Sequence, residues 1–568
     1  MSHAKSHSPR KPLAFSHARG QRRQLLFFGV ALALGVAALL AFMMTGCGGG
    51  SSSGAAGAPD PPPAPAAQPA PPIQASEVQS IVTAAVNSVN VDMVVAVVDR
   101  AGIVLGVFRT QNAPIMTVGN YGQMVNANDV AVALARTGAF FSNDQAPLSS
   151  RTVRYLSGIH LPPGVANQPN ADLYGIENTN RGCTLVPTAA YEALLPPATA
   201  LNGSVPGAGV LTGKADTLDS DPNAVNPGGV PIFDQPGGAG NPATDLGGIG
   251  VVTASSNLNV AEYAAYIGSK AARANAPETF GLNPPLPPPG AVFIGGIQLP
   301  FVNQSSMPNG FTAGPVAGTG AYVPGFSPIP STGQPPEGDL ITPTNGPVGG
   351  LTVAQVTQIL DQAEATANIT RAAIRLPLGS TTRMVIAVSD LNGTFIGLRR
   401  MPDATIFSVD VAASKARNMT YFNSSSVAPT DLPGVPLGTA VTNRTISFGA
   451  MPLYPPGIGG NPPPANPGPF YNLFLEDTAN PCTQGSQTGA PNVNKSGIVF
   501  FPGSTGLFIN GKLVGALGVS GDGVDQDDFV TNGGSIGFQP PAAIRADQIF
   551  DEGVRLPYFK FPRDPTNL

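Results

Sequence analysis

The chain has 568 residues, with 29 Lys and Arg against 34 Asp and Glu, and only 11% of it is charged. Few charges together with 69 glycines and 61 prolines describe an exported, loop-rich protein, and the absence of Trp excludes a Trp-lined sugar or quaternary-amine site. All six basic residues among the first 46 precede the apolar run and no acid accompanies them; the remainder holds 23 basic against 34 acidic residues, a balance of −11 that argues against nucleic acid as a partner.

Residues 1–46 read as a targeting segment rather than fold. Lys5, Arg10, Lys11, Arg19, Arg22 and Arg23 lead into an apolar run from Leu25 to Met44, then Thr45-Gly46-Cys47. The pattern resembles a bacterial lipoprotein signal, with Cys47 as the lipidated N-terminus, although Met44 stands where Leu is usual. An uncleaved signal anchor is the other reading, since 20 apolar residues can span a bilayer. Both readings tether the rest to a membrane outside the cytoplasm. Gly48 after the cysteine resembles the outer-membrane sorting class, which places the chain in the cell envelope. Residues 47–72 are Gly/Ser-rich and then Pro/Ala-rich, and form a tether that cannot bury a core.

Beyond the tether the sequence repeats itself. Val95–Arg109 (VAVVDRAGIVLGVFR) matches Ile386–Arg400 (IAVSDLNGTFIGLRR) without a gap, so Asp99, Gly102, Gly106 and Arg109 fall on Asp390, Gly393, Gly397 and Arg400. Asp129–Phe141 falls on Asp410–Phe422. Arg151-Thr152, Pro162-Pro163-Gly164, Glu177 and Cys183 fall on Arg444-Thr445, Pro455-Pro456-Gly457, Glu476 and Cys482. Gly248–Val252 matches Ala516–Ser520, and Leu299-Pro300-Phe301 matches Leu556-Pro557-Tyr558. The expected organisation is a first domain over 73–302, a linker over 303–349 and a second domain over 350–568, packed as a pseudo-dimer.

The second copy shows the layout more clearly. Leu351–Asn368 has Val353, Val356, Leu360 and Ala363 on one helical face with Thr352 as N-cap. Arg383–Asp390 and Thr394–Arg400 predict a hairpin about Leu391-Asn392-Gly393. Asp410–Phe422 predicts a helix with a carboxylate at its positive end. Gly497–Phe501 and Lys512–Val519 predict a second hairpin, and a helix starts at Asp525. Hairpins with flanking helices make the class α+β: two tandem α/β sandwiches, each an antiparallel sheet flanked by helices. Long loops, about 142–229 and 424–495, carry the same landmarks in both copies, so the landmark stretches should be ordered.

The IAVSDLNG strand, the GLRRMPDA run, the VAASKAR helix segment and the late GKLVGALGVSGDGVDQDD stretch resemble, in this order, the GlcG/HbpS-like haem-binding domain family. The likeness covers the second copy well and the first weakly. It implies a small α/β sandwich, oligomer formation among members, and haem binding in some of them; fold is implied more strongly than function. One relative is the haem-binding tail domain of certain cobalamin adenosyltransferases. Haem, or a similar anionic planar ligand, is the expected cofactor.

A haem site needs an axial ligand and, usually, cations for the propionates. Arg399, Arg400, Lys415 and Arg417 are the candidate cations, with Met401, Asp403 and Tyr421 beside them. The first copy has Leu134 in place of Lys415 and Asn112 in place of Asp403, so the second copy is expected to carry the ligand. His160, alone in a loop, is the single histidine after the targeting segment and the metal candidate. A non-enzymatic envelope scaffold, partnering itself or another envelope protein, is the alternative.

Other chemistry finds little support. There is no Gly-x-Ser-x-Gly elbow, and one histidine makes a Ser-His-Asp triad improbable, so nothing points to an enzyme. Asp522, Asp525, Asp527 and Asp528 do not have EF-hand spacing, and acids at a helix start follow from the dipole alone. Cys183 and Cys482, the two cysteines besides Cys47, sit at equivalent positions and are expected to form a disulfide between the domains in an oxidising compartment.

Overall fold

A computed structural model describes residues 70–119, 124–158, 173, 176, 226–234, 244–273, 292–294, 297–452, 454–455, 466–479 and 497–560. The targeting segment, Cys47, most of the tether, Pro162-Pro163-Gly164, His160, Glu177, Cys183 and Cys482 lie outside the described residues, as do the lipidation and disulfide expectations that rest on them. Among the described residues no helix is long and apolar enough to cross a membrane.

The first half opens with α1 (Ala75–Ser88), started by a capping box in which the Gln74 amide donates to Glu77 at 2.9 Å. Its buried face is Val78, Ile81, Val82 and Ala85, at helical spacing. Next come β1 (Met93–Asp99) and β2 (Val104–Arg109), a short ribbon of β3 (Met116–Val118) and β4 (Met124–Asn126), then α2 (Ala127–Phe141) and α3 (Ser150–Gly158). β5 (Gly229–Asp234), β6 (Thr244–Thr253) and α4 (Asn259–Gly268) follow, with a small β7 (Phe293–Ile294) and β8 (Ile297–Gln298) pair. β1 is buried along its whole length. α2 lies on one face of the sheet, while α1 and α4 cover the other.

The segment 303–349, expected as a linker, does more than connect. β9 (Ala321–Tyr322) adds an edge strand to β2, and β10 (Gly338–Ile341) adds one to the second sheet. The second half then runs α5 (Val353–Ala367), β11 (Val385–Ser389), β12 (Phe395–Arg400), α6 (Phe407–Phe422), α7 (Asn443–Gly449), α8 (Tyr471–Ala479), β13 (Ser504–Ile509), β14 (Lys512–Ser520) and α9 (Val524–Gly534). A β15 (Phe550–Asp551) and β16 (Val554–Arg555) hairpin comes near the end. Thr352 caps α5 as expected, its side chain accepting from the Gln355 amide. α7 and α8 lie inside the stretch expected as a long loop, and carry the landmarks Arg444-Thr445 and Glu476.

One expected hairpin arm needs correction. Gly497–Phe501 is not a strand; the partner of β14 is β13, Ser504–Ile509. The two strands turn at Asn510-Gly511, both with positive φ (51° and 74°), the geometry that Asn-Gly favours in tight hairpins.

The sheets have orders β5-β6-β1-β2-β9 and β13-β14-β11-β12-β10, the same arrangement of equivalent strands. Registers agree to the residue. Val98 pairs with Gly248 and Ser389 with Ala516, equivalent positions in the two halves. A bulge interrupts the β1–β2 pairing opposite Val97 and Val98, and the β11–β12 pairing opposite Val388 and Ser389. Glycine is required where the helix crosses the sheet: a Cβ on Gly250 or Gly518 would strike the backbone of α2 or α6.

The halves meet where the end of α2 reaches the start of α6. Phe141 stacks on Phe407 at 4.1 Å, and the Ile406 amide donates to Phe140 O at 3.1 Å. Phe422, the equivalent of Phe141, instead packs among Leu432, Val441, Ile446 and Phe470 of its own half.

Candidate functional site

The recurring Asp-x-x-Gly turn is held by its own side chains. The Asp99 carboxylate accepts from the Ile103 amide, and the Asp390 carboxylate accepts from Asn392 and Thr394, all at 2.9 Å. Burial pushes Asp99 up to about 6. Arg136 of α2 reaches over to donate from Nε to Gly102 O at 3.0 Å. Arg417 occupies the equivalent place on α6 and is buried, which pushes its guanidinium down to about 10.

The motif arginines do one job in both halves. Arg109 donates to Ala113 O at 2.9 Å, and Arg400 donates to Ala404 O at 3.0 and 2.7 Å, equivalent carbonyls after equivalent strands. Arg400 also holds Pro335 O and Pro336 O of the connecting segment. Its burial brings the guanidinium down to about 10, with Arg100 adding repulsion. The neighbouring position repeats the pattern: the Met93 amide donates to Thr110 Oγ1 at 2.9 Å, and the Met384 amide meets Met401 Sδ at 3.4 Å.

Asp403 is where the halves part. It sits at φ 61°, a conformation costly for a non-glycine residue and retained where surroundings enforce it. Its carboxylate receives Arg100 of the first half and Arg375 of the second, each at 2.5 Å, and the Asp144 amide at 3.1 Å. Burial would raise its pKa, but Arg100 and then Arg375 outweigh it and hold the carboxyl below the usual range. Asp403 therefore ties the halves together.

Lys415 is fully buried on α6. It donates to Val519 O of β14 at 2.7 Å and to Asp527 of α9 at 2.9 Å, and lies 5.0 Å from the Phe501 ring centre. Burial lowers its pKa against the pull of Asp527, and burial pushes Asp527 up to about 7 against the pull of Lys415. A Cβ on Gly503 would sit 2.7 Å from Nζ, so the ammonium has little room for a ligand. Tyr421 is buried too, donating to Asp431 at 2.5 Å, and burial raises its phenol. Arg399 lies nearer the surface, between Asp339 at 2.6 Å and Asp361 and Glu364 at 2.8 Å.

The structure thus distributes the seven nominated side chains over several sets of contacts instead of gathering them round one opening. The described residues do not fit haem as nominated: they include no histidine, and Arg399, Arg400 and Lys415 are engaged by protein acids or carbonyls.

The acids considered for calcium have partners as well. Asp522 pairs with Arg375, Asp525 and Asp528 with Arg444, and Asp527 with Lys415. Among the described residues no group of acids, histidines or cysteines could hold a metal.

The landmark residues have a geometric explanation. Arg151 pairs with Glu262 of α4 at 2.7 Å, as Arg444 pairs with Asp528 of α9. Thr152 Oγ1 donates to Pro300 O and Thr445 Oγ1 to Pro557 O, both at 2.7 Å. The Arg-Thr and Leu-Pro-aromatic landmarks are therefore two sides of one contact, made twice. The sequence reading missed Arg100, Asp144, Asp245 and Arg375; no spacing signals them, because their partners lie in the other half or in a distant strand.

Residues 351–534 match the model of the family described as haem degrading protein HbpS-like. No curated protein matches the chain. Two solved structures are similar, each at 20% identity and a TM-score of 0.21 over 33% of this chain. One is Klebsiella pneumoniae protein ORFY, family-model DUF336, 88% of which is covered. The other is a PduOC:Heme complex, 95% of which is covered.

Proposed function

We propose that the chain is a membrane-tethered, extracytoplasmic binding protein for haem or a similar anionic planar ligand, taken mainly by the second half. The match of residues 351–534 to the HbpS-like family carries this reading. PduOC is solved as a complex with haem; here the same ligand is the proposal. The tether would be Cys47 and the segment after it, with Cys183 and Cys482 bridging the halves. The first half is a diverged copy of the same domain, a view supported by its shared strand order, register and bulges.

The partners found by Arg400 and Lys415 favour one second reading, an envelope scaffold that uses the fold for association without a cofactor. Haemin titrated into the full chain separates the two. A saturable Soret shift supports ligand binding; a spectrum equal to free haemin at every ratio leaves the scaffold.

A further inference from the structure

The junction between the halves collects more acid than base. Arg100 at the end of β1 faces Asp144 at 3.2 Å, Asp245 of β6 at 3.6 Å and Asp403 at 2.5 Å. Arg375 faces Asp403 at 2.5 Å and also pairs with Asp522. Arg400 lies 3.6 Å from Glu337, whose carboxylate accepts the Asp403 amide at 2.7 Å. Three guanidiniums therefore meet five carboxyls. Gln145 and Gln334 fill in without charge: Gln145 accepts from Arg375 and donates to Leu376 O and Ser380, while Gln334 accepts from Arg100 and donates to Asp245 O. If every group were ionised, the cluster would carry two excess negative charges in a largely buried place. Separating charges of one sign from water is costly, and taking up a proton relieves it.

We propose that this junction is a proton-operated latch: a proton held by the Asp144–Asp245 pair keeps the two halves closed, and its loss loosens them. The pair sits where closure is decided. The Asp144 amide donates to Asp403 across the junction, and the Asp245 amide donates to Asp144 Oδ1 at 2.8 Å. Arg100 is shared by Asp144, Asp245 and Asp403, so it cannot neutralise all three. The Asp144 side chain is 31% exposed, which gives the proton a route in, while Asp245 is sealed.

The electrostatics of the pair agree. Burial pushes Asp144 up to about 6, with Arg100 opposing and Asp403 adding to the rise. Burial raises Asp245 further, again opposed by Arg100 and reinforced by Asp144. Carboxyls raised in the closed state bind a proton there that the open state releases, so closure is favoured at acid pH and weakens as pH climbs from about 4 to about 6. Asp403, held low by its arginines, works the other way, but only below the ordinary carboxylate range. A rise of about two pH units in one carboxyl changes the closing equilibrium on the order of a hundred-fold.

Amide hydrogen exchange on the full chain tests this, with rates corrected for intrinsic pH dependence. Protection of the Ile406 and Asp144 amides, which cross the junction, should fall roughly twenty- to thirty-fold between pH 4.5 and 7.5, since part of the hundred-fold is already lost by pH 4.5. Protection of the Ile81 amide, inside α1, should not change. Asp144→Asn keeps the shape without the charge and should hold the junction amides protected at both pH values. Wild-type protection that is flat with pH overturns the latch, whether or not the variant folds. So does an equal pH dependence in Asp144→Asn, or a matching loss at Ile81 that would mean general unfolding.

Discussion

Where α6 crosses β14 and meets α9, the second half buries Lys415 against Asp527. Where α2 crosses β6 and meets α4, the first half has Leu134 and Ala261, both buried, at the equivalent places. Asp527 precedes Asp528 just as Ala261 precedes Glu262, and Asp528 and Glu262 bind equivalent arginines. The pair is thus charged in one half and apolar in the other, with both partners changed together. A buried ion pair and an apolar pair are alternative fillings of one space, and exchanging them whole is often neutral, whereas removing one charge is not. The missing lysine of the first half is explained by packing.

Breaking the pair gives the largest effect. Lys415→Leu alone leaves Asp527 buried without its cation and should cost about 3–5 kcal/mol in denaturant unfolding. Adding Asp527→Ala imitates the first half and should recover most of that loss. A double variant as unstable as the single would mean Lys415 does something beyond the pair.

A smaller effect tests what the halves share. Arg109→Ala and Arg400→Ala each remove hydrogen bonds from a guanidinium to backbone carbonyls. Each should cost about 1.5–3 kcal/mol in the same unfolding measurement. Similar losses sharpen the equivalence; a loss confined to Arg400→Ala would show that its extra contacts to Pro335 and Pro336 dominate. The smallest change is expected from Arg399→Ala. Its three acidic partners lie toward solvent, where such pairs contribute roughly 0.2–1 kcal/mol.

How far the sequence could be read depended on whether the signal was local. α5, β11, β12 and α6 were legible because apolar spacing, Thr352 and the Asp-x-x-Gly turn act within a few residues. The Arg-Thr and Leu-Pro-aromatic landmarks were legible as repeats, and only the structure shows that they touch. β13 was missed although Asn510-Gly511 marked its turn; the apolar run before it drew the strand too early. The edge strands β9 and β10 sit in Pro/Gly-rich chain and exist because sheet edges accept them. At the candidate site, Arg400, Asp403 and Lys415 stand out in the sequence as motif charges, but their contacts depend on partners far away in sequence. Asp403 reaches Arg100 across 303 positions.

Haemin titration of the wild-type chain beside Arg109→Ala and Arg400→Ala tests the central claim most directly. The account predicts one saturable Soret shift, kept at similar affinity in both variants, because neither arginine is free to meet the ligand. No shift in the wild type would contradict the binding reading, and a shift lost only in Arg400→Ala would contradict the assignment of Arg400 to the scaffold.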